Sequence, residues 1–596
     1  MCGIMGYTGE RDAKEILLDG LKKLEYRGYD SAGIALAEAT GIAVYKDQGK
    51  VAALEQQLLG HSCSATLGIG HTRWATHGAP CQKNAHPHRA GRVVLVHNGI
   101  IENEQALRTE LAKLGRHPVS DTDTEIAAMV LDNLYNGDPL KAIFAAAKQL
   151  KGSYALGILF EDHPHTLYAL RKDSPLIIGR GKGENFIASD IPAILAHTRQ
   201  YQLLDEGEVA VLTKEGVAFY TQNGKAVEKP LETADQSAEV AEKGGYAHFM
   251  AKEIHQQPEA VRNTLSRYCR EGRLFAEENL RVDGQIRIVA CGSAYHAGRL
   301  GKYAIEQLAR IPVQAEIASE FRYGDPLLNP KDLVIVISQS GETADSVAAL
   351  RLAKERGIPT LAIVNVWGST LAREADTVLY TAAGPEISVA TTKAYTCQVV
   401  LLYLLALHLA KEKLSPEEYR EKLEQLLGLP ALLEKALKKE EQCKSIAKNF
   451  KKVHRLFFIG RGQDYDLARE GSLKLKEISY IHSEAYAAGE LKHGTISLIE
   501  ENIPVIALMT DRRRLHKTLS NVKEVRARGA RVLAVTYEDT DTEGVAEEVL
   551  TLPPCSDFEA PIAGAVLLQL LAYYVAVERG NEVDQPRNLA KSVTVE

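Results

Sequence analysis

"DLVIVISQSGET", residues 332–343, sets the fold class of this chain. Five consecutive apolar residues, Leu333 to Ile337, show no polar alternation, which is the mark of a strand buried on both faces. The run ends in a turn of small polar residues. "ADSVAALRLAKE" (344–355) then follows with helical spacing, so the stretch reads strand, turn, helix. The same texture extends on either side, in "IRIVACGS" (286–293) and "IPTLAIVNV" (358–366). It returns in the same order in "RLFFIGRG" (455–462), "IPVIALMTD" (503–511) and "ARVLAVTYE" (530–538). Gly292 and Gly460 are 168 positions apart, and Leu361 and Leu533 are 172 apart. A period of that length means two copies of one α/β domain, each a doubly wound parallel sheet. Ligands of such sheets bind beyond the carboxyl ends of the strands.

The first third differs. Short β-like runs ("SAGIAL", "RVVLVHNG", "SYALGILF", "TLYALR", "NFIASD", "EVAVLT") alternate with helical stretches at 102–115 and 123–150. This predicts an α+β domain with antiparallel sheets. The polar, aperiodic stretch 221–245 closes it and leads into a linker. The expected boundaries are 2–236 for the first domain, 237–247 for the linker, 248–430 and 431–583 for the two copies, and 584–596 for a C-terminal tail.

With 596 residues the chain is too long for one core. Its 45% hydrophobic and 25% charged content is that of a globular protein, and a net charge of −7 argues against a general nucleic-acid binder. Charges come too early in "MCGIMGYTGERDAK" for a signal peptide. The apolar runs 397–410 and 565–577 are too short to span a bilayer and predict buried helices, so no membrane partner is expected. Eight scattered cysteines without a CxxC pair support neither a zinc knuckle nor a disulfide framework, and point to a reducing cytoplasm.

Ser338, Ser340 and Thr343 place hydroxyls beside the free N–H groups of a helix start, a seat suited to a phosphate monoester. One serine alone would be an ordinary N-cap. The second copy has "TDRRRL" (510–515) instead, so its phosphate role is expected to be lost. "CGSAYHAG" (291–298) is not a dinucleotide fingerprint, although Glu316 stands where an acid would be wanted. "GRGKGEN" (179–185) lacks the Lys-Ser/Thr of a phosphate loop and predicts a tight turn. Lys474 and Glu477 share a helix face at i, i+3, where a surface ion pair is the commoner reading. His493 lies between glycine-bearing turns. Five histidines between 71 and 97 lack ligand spacing, apart from His86 and His88, so no metal site is expected.

Cys2 directly follows the initiator methionine. With Met1 removed, it would offer a thiol nucleophile and an α-amine whose pKa of about 7.7–8.0 suits a general base. "HNGII" (97–101) offers the Asn98 amide and Gly99 N–H as oxyanion donors. Arg73 can grip a carboxylate with two hydrogen bonds, and Asp123 stands at an expected helix start.

"CGIMG", "LEYRGYDSAG" (24–33), "HTRWATHG" (71–78), "NAHPH" (84–88), "HNGIIEN" and "SDTDTE" (120–125) together resemble the N-terminal-nucleophile glutamine amidotransferase domain, over roughly the first 240 residues. "SQSGETADS", "EISVATTKAYT" (386–396), "KLKEISYIHSEAYAAGELKHG" and "DQPRNLAKSVTVE" (584–596) resemble the tandem sugar-isomerase domains of the glutamine–fructose-6-phosphate aminotransferase family. The resemblance implies transfer of ammonia from glutamine to fructose 6-phosphate, giving glucosamine 6-phosphate and glutamate, without a cofactor and in a homodimer. It implies that Cys2 attacks the amide while Asn98 and Gly99 hold the oxyanion. Arg73, Thr76, His77 and Asp123 would bind the amino-acid end, and Trp74 would gate ammonia. Ser293, Ser338, Gln339, Ser340, Thr343, Val389 and Thr391 would hold the sugar phosphate. His493, from a neighbouring subunit, would open the ring, and Lys591 would form an imine at C2. Glu477, helped by Lys474, would move a proton between C1 and C2. Residues around Lys591 ("NLA", "SVTV") are expected to be buried. Ala294, Ser293, Thr391 and Thr495 depart from the family pattern; only Ala294 loses a hydroxyl. Two other readings are an ammonia-dependent sugar isomerase or deglycase with an idle first domain, and a sugar-phosphate-sensing regulator. Intact Cys2, Arg73, Asn98 and Asp123 speak against the first; Glu477, His493 and Lys591 speak against the second.

Overall fold

The computed structural model describes residues 2–61, 64–234, 243–270, 273–274, 280 and 282–594. Met1, most of the expected linker and the last two residues of the tail lie outside them. The chain divides into two units: the first third together with the stretch from Ala590 on, and Lys243–Leu589.

In the first unit every strand pairing is antiparallel. One sheet has eight strands, with Gly3–Thr8 and Leu67–Arg73 at its centre; the other has seven, with Gly152–Phe160 and Val93–Ile101 adjacent. Ile4, Ile69 and Ala35 of the first pack with Val94, Val96 and Leu159 of the second, so the sheets meet face to face over an apolar core. The helix Ala13–Leu24 covers the outer face of the first sheet. The helical stretch expected over 123–150 holds two helices, Asp123–Leu134 and Pro139–Gln149. Gly137 at φ +101° breaks the chain, and Asp138 caps a new helix that has proline in its first turn. The turn expected at 179–185 joins the strands Ile177–Arg180 and Asn185–Ala188. Part of the stretch read as dissolving after 221 is instead sheet: Ala226–Val227 and Glu232–Thr233 are edge strands.

The second unit holds two five-stranded sheets, both wholly parallel. Their orders match: Val313–Ile317, Ile286–Ala290, Leu333–Ser338, Thr360–Val364, Thr377–Tyr380 in one, and His482–Ala487, Arg455–Gly460, Pro504–Leu508, Arg531–Tyr537, Glu548–Leu552 in the other. Numbered along the chain this is 2-1-3-4-5, with the switch point between the first and third strands. The register aligns Leu361 with Leu533, as expected, but Gly292 aligns with Gly462 rather than Gly460. Both glycines take positive φ (+55° and +59°) where the chain leaves the first strand for a helix. The two copies share one core, in which Leu300 and Leu402 join Leu467 and Leu568. The helices Lys393–Leu409 and Ala560–Glu578 contain the two apolar runs. The second is 19 residues long, enough to cross a bilayer by length and composition, yet 89% of its apolar window is buried inside the protein. A helix apolar all round is what a shared core requires.

Candidate active site

Cys2 sits just before the central strand Gly3–Thr8, beside the end of Leu67–Arg73. Its Sγ accepts from the Trp74 N–H at 3.3 Å and lies 3.5 Å from the Trp74 carbonyl. Burial pushes the thiol pKa up, so the resting group is the thiol. The Cys2 carbonyl oxygen accepts from Arg27 Nε (3.2 Å) and Asn98 Nδ2 (3.0 Å). Asn98 Nδ2 also donates to Ser189 Oγ at 2.8 Å. His71 Nε2 faces two acceptors, the His97 carbonyl at 2.9 Å and Asn98 Oδ1 at 3.1 Å, so it carries the proton and turns the Asn98 NH2 toward Cys2. Gly99 has φ +132°, and a Cβ there would stand 1.9 Å from the Ser153 carbonyl oxygen. The backbone of "HNG" can therefore run here only with glycine.

Arg73 is buried and donates to the carbonyls of His77 and Gly78, which folds the loop after Trp74 back over it. Thr76 and His77 are exposed on that loop. Thr122 caps the helix Asp123–Leu134, so Asp123 is its first residue, as expected, and its carboxylate accepts from the Ile101 N–H at 2.9 Å. His71, His86, His88 and His97 are buried, and burial drives all four below the ordinary histidine range, His71 to about 3. Among the described residues no group of three or more His, Cys, Asp or Glu is placed to hold a metal.

In the second unit the turn after Leu333–Ser338 is built as a seat. Ser338 Oγ accepts from the Gly341 N–H at 3.1 Å and lies 3.0 Å from Thr343 Oγ1. Ser340 Oγ accepts from the Glu342 N–H at 3.2 Å. Thr343 is the N-cap of Ala344–Glu355 without a side-chain cap bond, which leaves the first-turn N–H groups to a ligand. Gly341 has φ +67° and packs on Ser369, where a Cβ would meet Oγ at 2.0 Å.

The helix Gln463–Ser479 carries Lys474 and Glu477, the acid–base candidates. Lys474 Nζ is 2.6 Å from Glu477 Oε2 and 3.6 Å from Glu470 Oε1, and the lysine side chain is only 1% exposed. The pair is therefore buried, not the surface pair that its spacing suggests. Burial alone would lower the Lys474 pKa; Glu477 and Glu470 outweigh it and hold the ammonium above its ordinary range. Glu470 accepts from Ser293 Oγ and His296 Nδ1, each at 2.9 Å, and so brings a sugar-site candidate of the first copy to the helix of the second that carries Lys474 and Glu477.

In the second copy, Asp464 lies where Ala294 lies in the first. Its carboxylate accepts from the Thr510 N–H at 2.8 Å and the Asp511 N–H at 3.0 Å, and from the Thr510 hydroxyl. These amides align with those of Gln339 and Ser340. The chain's own carboxylate fills the anion seat. Burial pushes the Asp464 pKa up to about 6.

Two family models match the sequence: a glutamine amidotransferase domain over residues 71–196 and an SIS domain over 279–408 and again over 449–579. A protein of Clostridium tetani named glutamine–fructose-6-phosphate aminotransferase [isomerizing] is 50% identical over 608 aligned residues, covering 100% of both chains. This chain belongs to that family. A Thermus thermophilus member is 47% identical, again over 100% of both chains. Among solved structures, the C-terminal domain of glucosamine-fructose-6-phosphate aminotransferase from Francisella tularensis is 42% identical with a TM-score of 0.56, covering 58% of this chain and 100% of that one.

Within this aminotransferase family chain, the structure groups Cys2, Trp74 and Asn98 in one cluster, and Ser293, Lys474 and Glu477 in another. Val389 is buried, and its N–H donates to the Asp584 carbonyl at 3.0 Å; Thr391 is half-buried nearby in sequence. His493 is exposed at the end of the turn Glu490–His493. Lys591 is half-buried, in the stretch that divides with the first unit. The tail is not buried throughout as expected: Asn588 and Val593 are exposed, while Ser592 and Thr594 are buried. Glu316 serves as the partner of Arg287 at 2.8 Å, which accounts for it without a dinucleotide. Sequence reasoning missed Glu470, Arg27 and Asp464. Glu470 had a signal, standing four residues before Lys474 on the same helix; the other two act across the fold.

Proposed function

We propose a residue-level account of the family's reaction: glutamine nitrogen is transferred to fructose 6-phosphate, which becomes glucosamine 6-phosphate, with glutamate released. The reaction rests on the full-length relationship to the aminotransferases. The roles of the residues rest above all on the buried Lys474–Glu477 pair at 2.6 Å, a charged couple with no structural need for water exclusion unless chemistry occurs beside it.

Once Met1 is removed, the α-amine of Cys2 takes the thiol proton, and sulfur adds to the side-chain amide carbon. The oxyanion takes over an Asn98 N–H and the Gly99 N–H. Arg73 holds the substrate carboxylate, Asp123 its ammonium, and Thr76 and His77 close over it. Ammonia leaves, and water hydrolyses the thioester to glutamate. Ammonia then passes along a closed path gated by Trp74, which keeps it from protonation in bulk water.

Ser338, Gln339, Ser340 and Thr343 hold the phosphate, with Ser293, Val389 and Thr391 on the sugar. His493 of a second copy opens the ring, so the working form is a homodimer. Lys591 condenses with the C2 carbonyl, water leaves, and ammonia displaces the lysine. Glu477 removes the C1 proton and returns it to C2. Lys474, 2.6 Å from Glu477 Oε2, holds that carboxyl group in place while it carries the proton from C1 to C2. The working parts are 2–236, 248–430, 431–583 and the tail 584–596, acting in the cytoplasm without cofactor, nucleic acid or membrane.

The test is incubation of purified protein with glutamine and fructose 6-phosphate. Glucosamine 6-phosphate should form, disappear in Cys2→Ala, and return when ammonia is supplied. No product from either nitrogen source would overturn the assignment.

A further inference from the structure

The loop that carries Val389 and Thr391 has no regular secondary structure, so something else must fix its backbone. Two buried carboxylates do so from one short helix and its surroundings. Glu253, on Phe249–His255, accepts from the N–H groups of Ile387 (2.5 Å) and Ser388 (3.2 Å) through Oε1. The next N–H, that of Val389, donates to the carbonyl of Asp584. The Asp584 side chain in turn accepts from the first two amides of the same helix, Phe249 and Met250, both at 2.9 Å. Lys243 approaches it at 3.7 Å. The result is a closed ring: Asp584, Phe249–Met250, Glu253, Ile387–Ser388, Val389, and back to Asp584. Glu386 takes the Thr392 and Ala394 amides at 2.9 and 3.1 Å and fixes the far side of the loop.

Hydrogen bonds to ionised acceptors are short and strong, and Glu253 and Asp584 are 2% and 8% exposed, so water does not compete for them. The same ring takes in the start of the second unit and the segment that leads into the tail. Of three consecutive amides, those of Ile387 and Ser388 are held by the Glu253 carboxylate and that of Val389 by the main-chain carbonyl of Asp584, so the loop cannot move as a whole without breaking the two charge-assisted bonds.

We propose that Asp584 and Glu253 are positioning residues for the sugar phosphate, holding the Val389–Thr391 loop in its binding geometry. This rests on the assignment of that loop to fructose 6-phosphate. Asp584→Asn keeps the size but turns an N–H2 toward a backbone N–H; Glu253→Gln weakens the acceptor without changing its shape.

The experiment measures kcat and KM for both substrates, with calorimetric binding of fructose 6-phosphate and thermal midpoints, in the full-length wild type, both single variants and the double variant. KM for fructose 6-phosphate should rise about tenfold or more in each single variant, and by less than the product in the double variant, while KM for glutamine stays put. If Asp584→Asn does not fold, Glu253→Gln carries the test alone. A purely structural role would lower kcat with the folded fraction and leave the sugar KM within twofold of wild type; that result overturns the inference while the wild type still binds and aminates the sugar. A wild type that binds no fructose 6-phosphate overturns the functional assignment, and this inference with it.

Discussion

Lys474 Nζ lies 2.6 Å from Glu477 Oε2 inside the second unit, with Glu470 on the lysine's other side. One cation faces two carboxylates; Glu470 keeps Ser293 and His296 when the lysine is lost, whereas Glu477 loses its ion-pair partner. Lys474→Met should cost about 3–5 kcal/mol in urea unfolding, the usual penalty for breaking a buried pair. Glu477→Gln leaves Glu470 to pair the lysine. It should melt near wild type and still lose sugar amination by about 10²–10⁴. Equal destabilisation by both variants would refute this division of roles.

Asn98 is oriented by His71 and aims its amide at Cys2. Asn98→Ala should lower glutamine hydrolysis by about 10²–10³ in kcat, as loss of one oxyanion donor does. KM for glutamine should move little. A change confined to KM would show that Asn98 binds the ground state instead.

Gly99 cannot accept a side chain. Gly99→Ala drives Cβ against the Ser153 carbonyl and forces φ +132° on an L-residue. Limited proteolysis should cut the first unit of this variant faster than wild type. Wild-type resistance together with wild-type glutamine hydrolysis would show that the strand adapts.

Acid should weaken the first unit well above the ordinary carboxylate range. His71, His86, His88 and His97 are held neutral by burial, His71 to about 3. Unfolded, each takes a proton near 6.5. Between those values the unfolded chain binds more protons, so stability falls as pH drops, by about 1.4 kcal/mol per pH unit for each histidine. The chain has 2 tryptophans, and Trp367→Phe leaves Trp74 to report on the first unit. Its urea midpoint should drop steadily from pH 6.5 to 5; a flat profile would contradict the buried-neutral state.

Asp464 has the opposite sign. Its folded pKa is raised from 3.8 to about 6. The unfolded group ionises first, so stability falls as pH rises between these values and is level above. The span is worth roughly 3 kcal/mol. Asp464→Asn should flatten that part of the stability profile, measured by denaturant titration at several pH values. An unchanged slope would place the titration elsewhere.

Much of this was legible in the linear chain. Continuous apolar runs such as Leu333–Ile337 announced parallel sheets, and "SQSGET" announced an anion seat, because both signals are local. The break at Gly137–Asp138–Pro139 was equally local, yet the helical spacing on either side masked it. The partners of Lys474 were half visible, since Glu470 and Glu477 lie on its own helix; its burial was not, because that depends on the second copy packing on the first. Asp464 and the Glu253–Asp584 ring join residues from 46 to 335 positions apart. No spacing rule reaches that far. The burial expected for "SVTV" failed at Val593 for the same reason, since surroundings and not polarity decide which face of the tail is covered.

The Asp464 carboxylate gives the second copy an anion that never dissociates. A phosphate monoester in the proposed Ser338–Thr343 seat would stabilise the first copy by mass action, by about 2.7 kcal/mol at a concentration a hundred times Kd and by nothing in its absence. The second copy has constant occupancy. Asp464 stands in the first turn of the same helix as Glu470, Lys474 and Glu477, so the anchor of that helix does not depend on a bound ligand.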